Sequence, residues 1–351
     1  MFTYNLRLAW LSLKQTPILT VLTISLIALG VGLSMTTLTL HYMMSSDPIP
    51  AKSDVLFNVQ IDSWEEDEPY DDDDVTAAPD QLTYLDAMAL RDLPGAKRQA
   101  AMFKGIFTVV PPNEEVKPFL EETRMTDGDF FAMFEVPFLY GGPWQKSVDQ
   151  QTERVLVLSR ETNDKVFGGK DSVGERLQIG SEYFEVVGVT DTWEPVINFY
   201  DVNNGPFDEI PQIFMPFSLL QFGEMDRSGN TNCWGTDTIN GWEDFLASKC
   251  VWIQFWVEVE MPEQINTFQR NLDDYVTGQK ELGRHPRPLN NPLMDVNAWL
   301  KHKEVVSEDN MVLMGLSFLF LIVCLFNAIG ILLARFVGKA PVISVRRALG
   351  A

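Results

Sequence analysis

Residues 311–334 read MVLMGLSFLFLIVCLFNAIGILLA, an apolar run without a single charged side chain. At about 1.5 Å per residue a helix of this length crosses the roughly 30 Å hydrocarbon layer of a bilayer. A helix buried in a soluble core is the competing reading. The run's length and its basic flank on one side only argue against that. A second uncharged run, ILTVLTISLIALGVGLSMTTLTL, fills residues 18–40. It is longer than the roughly 7–15 residues of a signal-peptide core, and the HYMMSSDPIP that follows offers no A-x-A-like cleavage site. Both runs therefore read as retained membrane helices.

The charges divide around them. Residues 1–44 contain Arg7 and Lys14, residues 311–351 contain Arg335, Lys339, Arg346 and Arg347, and neither flank contains an acid. All 49 acids of the chain, against 27 basic residues in total, fall between them. Basic residues beside membrane ends stay cytoplasmic, so both termini are expected inside and residues 45–310 outside. Ahead of the first span, Phe2, Leu6, Trp10 and Leu13 share one helical face, which predicts an interfacial amphipathic helix over residues 1–17 that bends into the membrane at Pro17. Gly30 and Gly32 would let another helix come close.

The strongly acidic outer segment excludes nucleic acid, whose phosphates demand a positive surface. Its run EEDEPYDDDD, 65–74, lacks the glycine turn and distant glutamate of a calcium loop and reads as a solvated acidic loop. His41, His285 and His302 are the only histidines, and no zinc-ligand spacing recurs. No cofactor is implied. Cys233 and Cys250 lie in the outer segment, where an oxidising compartment permits either a disulfide or two free thiols. There is no P-loop, no nucleophile elbow and no metalloprotease helix, so nothing marks the chain as an enzyme.

Local patterns outline the outer domain. DVLFNVQI (54–61), RQAAMFKGIFTVV (98–110) and CVWIQFWVEVE (250–260) read as strands, and ERVLVLS (153–159) as a buried one. RLQIGSEYFEVVGV (176–189) reads as two strands turning at Gly180-Ser181. Thr83 and Asp86 begin a capping-box-like helix over about 84–93 that Pro94-Gly95 stops, and MPEQINTFQRNLDDYV (261–276) reads as a second helix. Residues 191–248, rich in Gly, Asn, Asp, Pro and Trp, suggest long loops. The fold class expected is a membrane protein with two transmembrane α-helices flanking a large external α+β domain. Two α/β halves, over 50–120 and 250–308, would pack together around a β-rich insert of about 121–249.

MTDGDFFAMFEVPFLYGG (125–142), RVLVLSRETNDKVFGGKDSVGERLQIGSEYFEVVGV (154–189) and the terminal ISVRRALGA (343–351) together resemble the macrolide-exporter type (MacB-like) ABC transporter permeases. That resemblance implies that the external domain is periplasmic and its α/β part porter-like, in a permease subunit with helices at 18–44 and 311–334, driven by a separate cytoplasmic ABC ATPase. It would pass ATP-driven movement to its periplasmic domain for efflux or extraction of a peptide-like, lipid-like or drug substrate. It implies a homo- or heterodimer in a cell inner membrane, in contact with lipid, working with a periplasmic adaptor and an outer-membrane channel. Residues 335–351 would form an ATPase-coupling loop, with Arg346 and Arg347 matching the motif's arginines and Gly350 allowing its turn. The chain departs from the pattern at Pro341, Val342 and Ser344, and the family's third and fourth helices would follow Ala351. A two-span receptor with a ligand-binding periplasmic domain is the alternative function.

Overall fold

The structure, a computed structural model, describes residues 17–113, 115–223, 226–235, 238–305 and 308–348. The predicted amphipathic face of Phe2, Leu6, Trp10 and Leu13 lies outside them. The chain divides into two compact units, Asp47–Val305 and the two flanks together.

The apolar run after Pro17 forms α1 (Pro17–Ser45). The outer unit opens with β1 (Leu56–Val59) and β2 (Leu82–Thr83). Thr83 then caps α2 (Tyr84–Leu90), accepting from the Asp86 amide at 3.2 Å, so the capping signal read from the sequence sits at the helix start. The run predicted as a strand over 98–110 is β3 (Arg98–Val110), and β4 (Phe119–Thr126) returns beside it. A short α3 (Asp129–Met133), β5 (Phe138–Gly141) and α4 (Lys146–Gln151) follow. Next come β6 (Val155–Leu158) and α5 (Arg160–Phe167), which ends on Gly168 in the left-handed conformation, φ 69°. β7 (Arg176–Ile179) and β8 (Glu182–Thr190) turn at Gly180, φ 59°, where the sequence places them. The loop-rich stretch after 190 still contributes β9 (Ile213–Pro216) and α6 (Trp242–Ala247). The unit closes with β10 (Val251–Glu258), α7 (Pro262–Glu281), β11 (Leu293–Asp295) and α8 (Val296–His302).

All of these strands join one sheet in the order β11-β1-β10-β3-β4-β9-β6-β8-β5, with β2 on β10 and β7 bridging β3 and β8. The pairs β4–β9 and β6–β8 are parallel and the others antiparallel. Every residue of β10 is buried, the polar Gln254 and Glu258 included, as suits a central strand covered on both faces. On one face Phe103, Trp252 and Phe255 of the sheet pack in one cluster with Tyr84 and Leu90 of α2 and with Phe268 and Leu272 of α7. The other carries an aromatic cluster of Phe130, Phe131, Phe134, Tyr200, Phe214, Trp256 and Trp299. Its rings meet edge-on or tilted at centroid separations such as 4.7 Å for Phe130–Phe134 and 5.0 Å for Phe131–Trp144.

This sheet runs across the junction expected between a porter-like part and an insert. β3 runs through it: Arg98–Met102 pair with Glu258–Gln254 of β10, while Met102–Val109 pair with Thr126–Phe119 of β4. Met102 sits between Gln254 and Thr126, so both parts share one hydrogen-bonded ladder. The expected cut near 121 falls inside β4.

In the flanking unit, α9 (Glu308–Ala348) runs through the span predicted at 311–334 and continues as helix where a loop was expected from 335 onward. The stretch 335–348 consists largely of Ala, Val, Arg, Ile and Lys, residues a helix accommodates. Gly350, the residue expected to allow a turn, lies outside the described residues. α1 packs along α9 through small and hydroxyl residues. Ser34 Oγ donates to the Ser317 main-chain oxygen at 3.0 Å, and the hydroxyls of Thr37 and Ser317 are 2.7 Å apart. A Cβ built on Gly30 would lie 3.1 Å from Leu321 Cδ1, whereas one on Gly32 would meet nothing within 4 Å. Of the two glycines, Gly30 is the one the contact requires.

Candidate functional site

The end of β4 leads into Thr126-Asp127-Gly128-Asp129-Phe130-Phe131, the start of the motif singled out in the sequence. Phe130 and Phe131 turn into the aromatic cluster, and the aspartates face a cleft of about 550 Å³ between this segment, the end of α2 and the start of α4. Arg91, at the α2 C-terminus, reaches across it. Its Nε donates to Asp127 Oδ1 at 2.9 Å and to Oδ2 at 3.2 Å, and its Nη2 also donates to Oδ1, a forked arrangement that suits guanidinium to carboxylate. Asp127 Oδ2 further accepts from the Ala101 amide of β3 at 2.9 Å.

Asp149 of α4 completes the group. Its two oxygens accept from Trp144 Nε1 at 2.9 Å and from the Gly128 amide at 3.0 Å. A Cβ on Gly128 would fall 2.6 Å from the Trp144 carbonyl oxygen, so only glycine fits there. Burial first, and then the negative Asp127 beside it, push the Asp149 carboxyl up to about 7, against the pull of its two donors and of Arg91. Nearby, Asp129 accepts from the Gln99 amide at 3.3 Å, and burial raises its carboxyl as well. The cleft is thus lined by aspartates and glutamines together with Arg91 and Lys146, with one carboxyl poised to change charge near neutrality. Among the described residues, no group of three or more His, Cys, Asp and Glu side chains is placed to hold a metal.

Cys233 and Cys250 form a disulfide, with Cα atoms 4.0 Å apart. It fastens the loop before α6 to the start of β10, where Asn232 and Val251 exchange amide hydrogen bonds of 3.0 and 2.8 Å. Arg346 and Arg347 lie in the last turns of α9, not in a loop. The cleft is distant in sequence from all of these. It gathers residues 88–150 and Gln221, a set that no linear spacing announces.

The family model for the MacB-like periplasmic core domain matches residues 20–275, well over half of the chain. The chain belongs to this family. Its fold is that of a MacB-like core domain flanked by two helices apolar and long enough to cross a membrane, Pro17–Ser45 and, within α9, Met311–Ala334. Family and helices together make it a membrane-anchored protein. No curated protein matches the chain. Among solved structures, this MacB-like domain is similar to the periplasmic region of MacB from Actinobacillus actinomycetemcomitans, at 13% identity and a TM-score of 0.45 over 74% of this chain and 96% of that one. It is also similar to the extracellular domain of the noncanonic ABC-type transporter YknZ from Gram-positive bacteria, at 16% identity and a TM-score of 0.41 over 68% and 99%. A domain of a putative permease from Porphyromonas gingivalis matches at 14% identity and a TM-score of 0.41 over 69% and 91%.

Proposed function

We propose that this chain is the permease subunit of an ABC-type transporter, passing movement driven by a cytoplasmic ATPase across an inner membrane to its periplasmic domain. The observation that carries this reading is α9, a single helix of 41 residues. At about 1.5 Å per residue it is about 60 Å long, twice the thickness of a bilayer core. One end adjoins the core domain in sequence, and the other bears Arg346 and Arg347, which the positive-inside rule places in the cytoplasm. A continuous helix of that length can carry movement from one side of a membrane to the other without a pore, with Pro341, which takes one main-chain donor out of the ladder, as its weakest point.

On this reading Arg346 and Arg347 contact the ATPase, and the subunit works as a homo- or heterodimer together with a periplasmic adaptor and an outer-membrane channel. The cargo is a peptide-like, lipid-like or drug molecule taken up on the periplasmic side, for efflux or extraction. The test is to solubilise the chain gently from its native membrane, capture it through the outer domain and identify what comes with it. A stoichiometric P-loop ATPase that is lost on Arg346→Ala with Arg347→Ala supports the reading. Absence of any ATPase across a range of detergent strengths overturns it.

A further inference from the structure

The chain enters the outer unit at Asp47 and leaves it at Val305. Both ends are fastened to one short helix, α8. At the entry, Asn297 Nδ2 of α8 donates to Asp47 Oδ2 at 3.3 Å, and the Val296 amide donates to the Ser53 main-chain oxygen at 3.3 Å. Buried Ile49 packs in one cluster with Val296, Trp299 and Val305. The Lys52 and Ser53 amides close a turn on the Ile49 oxygen at 2.8 and 2.9 Å, which leaves little slack between Asp47 and β1.

At the exit, the Lys303 and Val305 amides donate back to the oxygens of Trp299 and Leu300 at 2.9 and 3.1 Å. Glu304 between them takes a left-handed backbone, φ 48°, that few residues other than glycine adopt. This turn sets Val305 into the same buried cluster as Ile49.

α8 also grips the segment Phe199–Asn204, two 3-10 turns that meet at a kink at Asp201, φ −146° and ψ 45°. The buried Trp299 donates its Nε1 to the Phe199 oxygen at 3.1 Å. Lys303 Nζ donates to Asp80 Oδ2, His302 Nε2 lies 3.5 Å from Oδ1, and the Asp80 main-chain oxygen accepts from Asn203 Nδ2 at 3.5 Å. The Asp80 carboxylate is steadied further by Gln60 at 3.3 Å and Tyr70 at 3.4 Å. On its far side the segment reaches the cleft. Tyr200 meets the Phe130 ring edge-on at a centroid separation of 5.5 Å, and Asp201 pairs with Arg124 of β4. Arg124 and Phe130 flank Asp127, Gly128 and Asp129, which form one wall of the 550 Å³ cleft.

We propose that α8 is the junction through which displacement at the chain's two membrane crossings reaches the cleft, by way of Phe199–Asn204, with Trp299 and the Lys303–Asp80 pair as its fastenings. Packed and hydrogen-bonded contacts that run continuously from one place to another are what passes a displacement through a domain. The kink at Asp201 supplies a point that absorbs a change of angle, as hinges do. The proposal rests on the reading of this chain as a transmitter of movement, and not on the ATPase that drives it.

The test uses the full chain in detergent with Thr37→Cys, Ser317→Cys and Cys324→Ala, the two hydroxyls replaced being 2.7 Å apart between α1 and α9. Amide hydrogen exchange is followed by mass spectrometry before and after oxidation joins the cysteines, with Thr37→Cys, Cys324→Ala as the oxidant control. Locking α1 to α9 is expected to change exchange in 199–204 and 126–131 about fivefold or more, the lower end of ordinary coupling between sites. Lys303→Gln, which keeps the reach of the side chain and removes its charge, should abolish most of that response, and Lys303→Arg should keep it. A clasp with a structural role alone gives another pattern: Lys303→Gln would speed exchange around α8 and leave the response to locking intact. Trp299→Phe, which spares the Lys303–Asp80 pair, is the independent variant and should blunt the response in 199–204. A response confined to 296–305, no response at all, or one that neither variant alters overturns the proposal. A response that persists in a chain that captures no ATPase upholds the junction and removes only its proposed driver.

Discussion

Ser34 donates its hydroxyl to the main-chain oxygen of Ser317 at 3.0 Å, joining helices that lie 283 positions apart in the chain. In a hydrocarbon layer no hydrophobic drive holds two apolar helices together, so close approach and such hydrogen bonds carry the association, at about 0.6–2 kcal/mol each. Ser317 also meets the Thr37 hydroxyl, at 2.7 Å. Thr37→Cys with Ser317→Cys, in a Cys324→Ala background, is expected to cross-link within one chain under mild oxidation in membranes. Adding Gly30→Leu, which forces a side chain against Leu321, should abolish most of the cross-link on a denaturing gel.

Asp149 predicts a pH dependence with a definite sign. Its carboxyl sits near 7 in the folded chain and near 3.8 when released. Between those values the folded protein holds a proton that the unfolded chain gives up, so stability falls as pH rises from about 4 to about 7. Each unit of displacement corresponds to roughly 1.4 kcal/mol. Asp149→Asn should flatten the decline in denaturant unfolding between pH 5 and 8. The variant should be less stable than the parent at pH 5, having lost an acceptor, and should gain on it at pH 8.

Arg124 and Asp201 form an ion pair in which both side chains are 3% exposed, with the guanidinium 5.4 Å from the Tyr200 ring. Removing one member leaves a buried charge unpaired. Arg124→Met is expected to cost about 3–5 kcal/mol, and Arg124→Met with Asp201→Asn to recover most of it, in urea unfolding of the two variants side by side.

The Cys233–Cys250 bridge closes a loop of 17 positions. Loop entropy puts its contribution at about 3 kcal/mol. Cys233→Ser with Cys250→Ser should lower the unfolding midpoint accordingly, and a reductant should lower it in the parent but not in the variant.

The elements legible in the sequence were those with a local cause. Two uncharged runs announced α1 and the span within α9. Apolar residues from Arg98 to Val110 marked β3 at both ends, and Thr83 with Asp86 marked the start of α2. β9 escaped because Ile213–Pro216 is four residues inside a loop-rich stretch, paired only by β4 and β6 across the fold. The last turns of α9 were misread because a basic run beside a membrane span suggests a loop, although its residues are compatible with helix. The cleft left no linear trace, since Arg91, Asp127 and Asp149 meet only when β4 lies against β3.

The shared ladder along β3 also limits how the chain can be divided. A fragment excised at the expected junctions would strip Glu121–Thr126 of β4 from Met102–Phe107 and bare a run of main-chain donors and acceptors on β3. Such an edge recruits strands from other molecules. Any shortened version for crystallisation or binding work therefore has to keep β3 with both of its neighbours.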